Sequence, residues 1–496
     1  MKEQLTKLML LACILVVGHF IAYKLINIPG QLEVVIILSL LLFYPILRKP
    51  IIGLYAVFII SPFIPFIRRL YYLIYTRPKI DPLIVVSDIF LIVILLGLLF
   101  EFRENKNRYS GANTYIRVIL IYFIYLVIRS FFFNYLPLAH GLTKLKFYGP
   151  PVLFFFIGIT YAESTHHLKR FWIITIIIGI LSSVYGLKQL YNGYSEAELI
   201  WFSSIEFSTL FINDIARPFS FFQAPVAFAD YIQLTIIGIL MWLLWNKNKV
   251  TYLLLLSIPV LFYSILVTSV RSSWIGIILS LFIWIIFFRI KGNKLRITSF
   301  VTIVLICISY QYITEILNAG YSFASLLSIL IDSFSDQQYF NLFVGNRMSA
   351  IYNPLEEHSF LSRMVHWRDL LIYSVDPAHA FLGRGLGSQK ADSLYFTYLA
   401  EFGYPGMIFI IIILIVFISK GFHLVDTSKI NDTIVFAKGI TTMNIIFAIV
   451  SITGTHIHYF PGDIYFWFWN GVLIQLFILD KSRSHSVKSE SGDKLA

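Results

Sequence analysis

The side chains best suited to chemistry lie at the entrances of apolar segments. Arg217 precedes one in ARPFSFFQAPVAFADYIQL, Arg271 begins another in VTSVRSSWIGIILSL, and Arg384 lies in the stretch Gly383 to Gly406. A guanidinium is always charged and presents a planar fork of donors, which suits diphosphate oxygens at a membrane edge. For any single arginine, the alternative is a side chain that snorkels to the interface or caps a helix. Together, the arginines predict a site that holds a diphosphate.

Asp392 is the candidate catalytic group. It lies a few residues before an apolar helix, where an ionisable side chain is costly unless it is paired or functional. Its carboxylate could accept a proton from a sugar hydroxyl, or it could cap the helix that begins near Ser393. Glu401, inside the same predicted helix, is expected to face the bundle interior with a structural partner.

The segment before Asp392 supplies further candidates. Arg363 and Trp367 lie in a predicted helix, FLSRMVHWRDLLIY, that could rest on the outer membrane surface. Gly383, Gly385 and Gly387 permit a tight backbone. They do not predict a nucleotide loop, because the Gly-Lys-Ser/Thr sequence of such loops is missing.

Histidine and cysteine do not predict a metal site. His456 and His458 form a pair, but their spacing identifies no third ligand, and both cysteines, Cys13 and Cys307, fall inside predicted spans. We therefore expect no metal and no cofactor. Three further histidines are possible bases or ordinary loop residues: His358, His366 and His379.

The composition is that of an integral membrane protein. Hydrophobic residues make up 58% of the chain and charged residues 13%, and the mean hydropathy is +0.78. A soluble globule of this composition would expose more apolar surface than water can hydrate. Apolar runs long enough to cross a bilayer predict an all-α bundle of about fourteen spans. They are residues 8–26, 33–47, 51–66, 83–100, 115–133, 147–160, 170–188, 226–245, 250–268, 272–288, 297–313, 396–419, 436–453 and 464–480.

The basic residues predict the orientation. Most of the +12 net charge lies in alternate short loops, which the positive-inside rule places in the cytoplasm together with both termini. This distribution argues against a nucleic-acid partner. Residues 1–481 would form one membrane domain, with a large outer loop of short helices at 314–395 and a disordered tail at 482–496. One outward segment breaks the rule: Arg68, Arg69, Arg77 and Lys79 indicate either a miscounted pair of spans or cations kept outside for a ligand.

Aromatic residues follow the histidine pair. Tyr459, Tyr465, Trp467 and Trp469 surround the start of the last span. Tyrosine and tryptophan are enriched at membrane interfaces, so this group is interpreted as an interface belt.

The order of these motifs resembles the O-antigen ligase and Wzy-type polysaccharide polymerase superfamily. The ligase signature is His, then Asn, Ser or Gln, nine residues, and Gly-x-x-Gly. Here Ser393 holds the second position and Gly403 and Gly406 complete the signature, while Asp392 replaces the histidine. The resemblance covers roughly residues 210 to 420 and includes an Arg…Trp…Gly-x-Gly run, which is formed by Arg363, Trp367, Gly383 and Gly385.

The resemblance implies glycan transfer from an undecaprenyl-diphosphate carrier at the outer leaflet of the bacterial inner membrane, without a nucleotide sugar or metal. Arg217 and Arg271 match the diphosphate ligands, and Arg363 and Arg384 could add to them. Partners would be the lipid-linked glycan, membrane lipids, a flippase and a chain-length regulator. Asp392 in the histidine position favours a polymerase of repeat units. A ligase that moves finished glycan to lipid or protein, or a transporter or flippase, remains an alternative.

Overall fold

The structure, a computed structural model, describes most of the chain. The described residues are 43–75, 81–102, 113–132, 137–204, 210–212, 215–246, 249–284, 358–388 and 391–492.

The predicted all-helical architecture is confirmed for the described residues, in which the only strands form a hairpin of two residues each. The α-helices are α1 Pro50–Ile60, α2 Ile64–Tyr75, α3 Val86–Phe102, α4 Asn113–Phe131, α5 Leu138–Tyr161, α6 Thr165–Asn192, α7 Glu196–Ser204, α8 Pro225–Trp245, α9 Lys249–Val267, α10 Arg271–Phe282, α11 His358–Tyr373, α12 Pro377–Leu382, α13 Leu394–Thr427, α14 Asn431–Val450 and α15 Gly462–Gly492. The strands β1 (Phe211–Ile212) and β2 (Ile215–Ala216) pair antiparallel.

Within the described ranges, nine helical segments are long and apolar enough to cross a membrane. The predicted spans 8–26 and 297–313, and most of 33–47, lie outside these ranges. The predicted spans 250–268 and 272–288 fall on α9 and α10 and are not among the nine candidates; α9 contains a shorter apolar stretch, Leu254–Val267. The nine candidates are Pro50–Ile74, Leu83–Phe100, Thr114–Phe131, Gly141–Tyr161, Thr165–Asn192, Pro225–Trp245, Leu394–Thr427, Asn431–Val450 and Gly462–Arg483.

The chain divides into two compact units, one comprising residues 1–110 and 195–206 and the other residues 111–194 and 207–496. In the first unit, α1 packs on α3 and α2 packs on α7. Arg68 and Arg69 lie inside α2, and not in a connecting loop as the span limits predict. Arg68 pairs with Asp81, and Arg69, only 1% exposed, pairs with Glu198. These pairs favour a structural role for both arginines; Arg77 and Lys79 lie outside the described residues.

The core of the second unit is built around α15. This helix packs along α5, where Gly158 meets the backbone of Phe468. The indole of Trp469 stacks on that of Trp172 in α6, with 4.7 Å between ring centroids. Tyr465, Trp467 and Trp469 are at most 1% exposed. These three side chains therefore form protein core, and their interpretation as a membrane-interface belt is wrong, because neighbouring helices cover them.

The rest of the second unit surrounds this core. α13 packs on α14 and α15, while α8 packs on α6, α9, α10 and α14. The described part of the predicted outer loop contains two short helices, α11 and α12; residues 314–357 and 389–390 lie outside the described ranges. α15 continues to Gly492, so residues 482–492, which the sequence assigns to a disordered tail, are helical.

Candidate functional site

Six helix ends and one turn meet at one end of the second unit. α9 ends at Val267 and α10 begins at Arg271, while α14 ends at Val450 and a turn leads to the start of α15. The first residue of α13, Leu394, donates its backbone N–H to the carbonyls of Ser451 (2.9 Å) and Gly454 (3.1 Å). α8 also begins here and contacts the 451–461 turn. Backbone polar groups at helix ends need partners, and here the ends bind each other.

A hydrogen-bonded chain of three side chains crosses this end. Nδ1 of His456, in the turn, lies 2.8 Å from Oδ1 and 3.0 Å from Oδ2 of Asp230 in α8. Nε2 of the same imidazole lies 3.1 Å from Oγ of Ser272 in α10. His456 is 1% exposed and Asp230 is 2% exposed, whereas Ser272 is only partly buried. The ionised carboxylate of Asp230 can only accept hydrogen bonds, so Nδ1 of the imidazole carries the proton. In a neutral ring, Nε2 is then free of a proton and can accept the hydrogen bond of the Ser272 hydroxyl.

Sequence reasoning missed this chain. The sequence presents His456 only as half of a possible metal pair, whereas in the structure its neighbour His458 bonds the hydroxyl of Tyr398 (3.1 Å). Among the described residues, no group of three or more His, Cys, Asp or Glu side chains is arranged to hold a metal. One signal was present: Asp230 is an acid inside an otherwise apolar span, and such residues are costly and commonly functional.

Arg217 is held firmly beside this chain. Its backbone N–H donates to the carbonyl of Leu210 (2.9 Å) across the β hairpin. Its Nε donates to the carbonyl of Thr268 (2.7 Å), and the residue is 7% exposed. Because the side chain is buried and bonded, the charge has a defined position.

The turn between α9 and α10 links Arg217 to the His456 chain. Thr268 at its start receives the Arg217 bond, and Ser272 at its end contacts His456. Arg271, the first residue of α10, lies between these two contacts and is partly buried. Ser269 adopts a φ of 55°, a conformation that is rare outside glycine and that concentrates at functional sites.

Asp392 lies at the same end of the unit. Leu394, two residues after it, donates its backbone N–H to the carbonyls of Ser451 and Gly454, in the turn that holds His456. In this turn the ring of Tyr459 lies beside that of His456, with 6.0 Å between ring centroids. Burial is the main cause that raises the pKa of the Tyr459 hydroxyl; a hydrogen bond with Thr455 opposes it, the carboxylates of Asp230 and Asp392 raise it further, and Arg217 lowers it.

Asp392 itself is open to solvent. Its side chain is 59% exposed, and one oxygen lies 3.4 Å from Nε of Arg363 in α11. The N-cap of α13 is Ser393, and no side chain caps this helix. Asp392 therefore does not cap α13 in the structure.

Two predicted site residues, Arg384 and Trp367, pack against aromatic rings. The guanidinium of Arg384 lies over the ring of Tyr373, 3.4 Å from its centroid, a cation–π arrangement. Trp367 stacks on Phe396 with 5.0 Å between centroids, and so joins α11 to the first turns of α13. Both contacts are structural ones that order the segment before Asp392.

Two motif glycines, Gly383 and Gly403, lie at a break in α13 where two backbone segments pack closely. Gly403 has a φ of 72°, which interrupts the helix, and a Cβ there would collide with the carbonyl of Ala380. Gly383 has a φ of 61°, and a Cβ there would lie 2.6 Å from the backbone of Glu401. Only glycine accepts both constraints. Gly385 and Gly387 also have positive φ, and Gly406 packs against Phe402.

Glu401 and its surroundings form a second polar network. The carboxylate is fully buried and accepts the backbone N–H of Gly387 (2.9 Å), which ties it to the glycine loop. Nearby, the hydroxyls of Tyr122 and Tyr398 are 2.6 Å apart. The expected structural role of Glu401 agrees with these contacts. Of the other predicted bases, His379 binds Asp376 (2.7 Å) and Tyr373 (3.2 Å).

Comparison with known proteins adds no assignment. No protein-family model matches the chain, and no curated protein is significantly similar to it. Function must therefore be argued from the residues of the site, since a helical membrane fold hosts many activities.

Proposed function

We propose that this chain is a membrane glycosyltransferase that polymerises undecaprenyl-diphosphate-linked oligosaccharide repeat units during cell-surface polysaccharide synthesis. It would act at the outer leaflet of a bacterial cytoplasmic membrane, with about fourteen spans and both termini in the cytoplasm. The supporting observation is that Arg271, the first residue of α10, lies between two contacts: Nε of Arg217 binds the carbonyl of Thr268 (2.7 Å), and Oγ of Ser272 binds Nε2 of His456 (3.1 Å). Residues distant in sequence thus meet at one end of a helical unit.

Arg217 and Arg271 are the proposed ligands of the carrier diphosphate. In the transfer, an acceptor hydroxyl attacks the anomeric carbon of the donor while the bond from that carbon to the diphosphate oxygen breaks. Negative charge grows on the departing diphosphate, and fixed cations stabilise it more than they stabilise the ground state. Arg217 suits this role because its bond to the Thr268 carbonyl fixes the guanidinium before substrate arrives.

Asp392 is proposed to bind the acceptor sugar. An exposed carboxylate is available to hydroxyl donors, and the contact with Arg363 gives it a preferred position. The same guanidinium competes for the lone pairs that a proton would use. Positioning of the acceptor therefore explains Asp392 better than proton removal does.

The test measures what accumulates in cells that lack the protein. A polymerase leaves single lipid-linked repeats, a ligase leaves intact polymer that is not attached, and a flippase leaves intermediates in the inner leaflet. Arg217→Ala and Arg271→Ala should reduce chain elongation about 100-fold or more. Asp392→Asn removes the carboxylate charge that binds the acceptor, so it should slow elongation chiefly through a higher KM for the acceptor repeat.

A matched control comes from α11. Arg368 is exposed and pairs with its neighbour Asp369, so Arg368→Ala should leave elongation unchanged. The amount of folded protein in each membrane preparation is compared with wild type. Normal polymer length in a well-folded Arg217→Ala variant would contradict the diphosphate assignment.

A further inference from the structure

The buried chain Asp230–His456–Ser272 has no role in the transfer described so far. It joins three elements, α8, the 451–461 turn and α10, through side chains alone. The outer member, Ser272, is only partly buried and adjoins Arg271. A purely structural contact at this place could be made by apolar side chains at lower desolvation cost.

The order of the three groups matches the requirements of a proton acceptor. Asp230 binds Nδ1 of His456 through both of its oxygens, at 2.8 and 3.0 Å, which orients the ring and fixes its tautomer. Nε2 then faces the hydroxyl of Ser272 at 3.1 Å. Asp392, by contrast, shares its lone pairs with Arg363.

We propose that His456, oriented by Asp230, takes the proton of the acceptor hydroxyl through Ser272. This inference rests on the proposed glycan transfer and names its proton path. The acceptor oxygen bonds to the anomeric carbon and gives its proton to Oγ of Ser272, while the proton of Ser272 moves to Nε2 of His456. The bond from the anomeric carbon to the diphosphate breaks, and the diphosphate leaves with the electron pair. Water then removes the proton from the imidazolium.

In this scheme Ser272 touches substrate, while His456 and Asp230 act through it. Charged and titratable groups around the imidazole are Asp230 from α8, Tyr459 from its own turn, and Arg217 and Asp392, which act on Tyr459. Of these charged and titratable groups, Asp230 is the one that contacts a ring nitrogen, Nδ1, directly, and the uncharged Ser272 contacts Nε2.

The experiment measures kcat and KM of elongation in membranes that contain the full-length protein and its own lipid-linked repeats. His456→Gln should lower kcat at least 100-fold. Asp230→Asn can present its amide N–H to Nδ1 of His456, which favours the tautomer whose Nε2 already carries a proton. This tautomer cannot accept the proton of Ser272, so kcat should fall at least 100-fold while KM for the repeats stays the same. Asp230→Glu should restore part of the rate.

His458→Gln is the matched control. It changes a histidine in the same 451–461 turn, but this histidine bonds a tyrosine and not an aspartate. It should keep the wild-type kcat and KM at equal protein amount. Elongation by wild type together with an unchanged kcat in Asp230→Asn would overturn the proton path alone. Absence of elongation by wild type, with repeats supplied, would overturn the proposed function itself.

Discussion

Nδ1 of His456 lies 2.8 Å from Oδ1 of Asp230, although 226 positions separate the two residues. The contact ties the turn before α15 to α8, and both partners are almost completely buried. A buried hydrogen bond that involves a carboxylate is stronger than a neutral one, and loss of one partner leaves the other without compensation.

This pair should show strong energetic coupling. Asp230→Asn and His456→Gln should each lower the thermal stability of the detergent-solubilised protein, and the double variant should lose less than the sum of the two. We expect a coupling free energy of about 0.5 to 3 kcal/mol, the range for residues in one hydrogen-bonded network. A double-mutant cycle from reversible unfolding measures it. Additive losses would mean that the two side chains do not interact.

Apolar run lengths anticipated the helices of the described chain, because the bilayer sets the length of a span and each span satisfies its own backbone. The sequence also singled out Gly383, as a position that permits a tight backbone, and Gly403, as part of the Gly-x-x-Gly of the resemblance. The structure supplies the physical reason for glycine at both positions: the loop of Gly383 lies against the backbone of Glu401 and beside the break at Gly403.

The pairing of Asp230, His456 and Ser272 could not be obtained in this way. The three residues belong to separate elements, and periodicity within one helix carries no information about which distant helix it meets. The buried position of Trp469 was missed for the same reason: an aromatic residue at the end of a span reads as an interface anchor until the neighbour Trp172 is known.

The break in α13 requires glycine at position 403. Gly403→Ala would place a side chain at a φ of 72° and drive its Cβ into the carbonyl of Ala380. Strain and collision together should lower the free energy of unfolding by more than 1 kcal/mol. Gly462→Ala is the control, because no atom lies within 4 Å of the added Cβ. The melting temperatures of both variants are measured in the same detergent. Equal melting temperatures would contradict the requirement for glycine at position 403.

The ion pair of the first unit should be essential to its stability. Glu198→Ala leaves the guanidinium of Arg69, 1% exposed, without this partner, and it removes the bonds that Glu198 accepts from Ser195 at the start of α7. Breaking a buried pair from one side typically costs about 3 to 5 kcal/mol.

The exposed acid of the same helix turn provides the comparison. Glu196→Ala should change stability by less than about 0.5 kcal/mol, because Glu196 is solvent-exposed. Thermal unfolding and yield of folded protein are measured for both variants. Similar losses of stability in Glu198→Ala and Glu196→Ala would show that the ion pair between Arg69 and Glu198 does not stabilise the fold.

His458 should make stability depend on acid. Burial, with a smaller effect of Lys144, lowers the pKa of this histidine from 6.5 to about 3; its ring lies against Tyr148, with 4.4 Å between centroids. In the unfolded chain the ring binds a proton below about pH 6.5, whereas in the folded chain it stays neutral. The unfolded state therefore binds more protons between about pH 6.5 and pH 3, and stability falls as the pH decreases through that window by up to about 1.4 kcal/mol per pH unit. His458→Gln removes the titrating group while an amide oxygen can still accept from Tyr398, so its melting temperature should fall less than that of wild type on acidification from pH 7 to pH 4. Parallel curves for the two proteins would show that His458 is not held neutral by its surroundings.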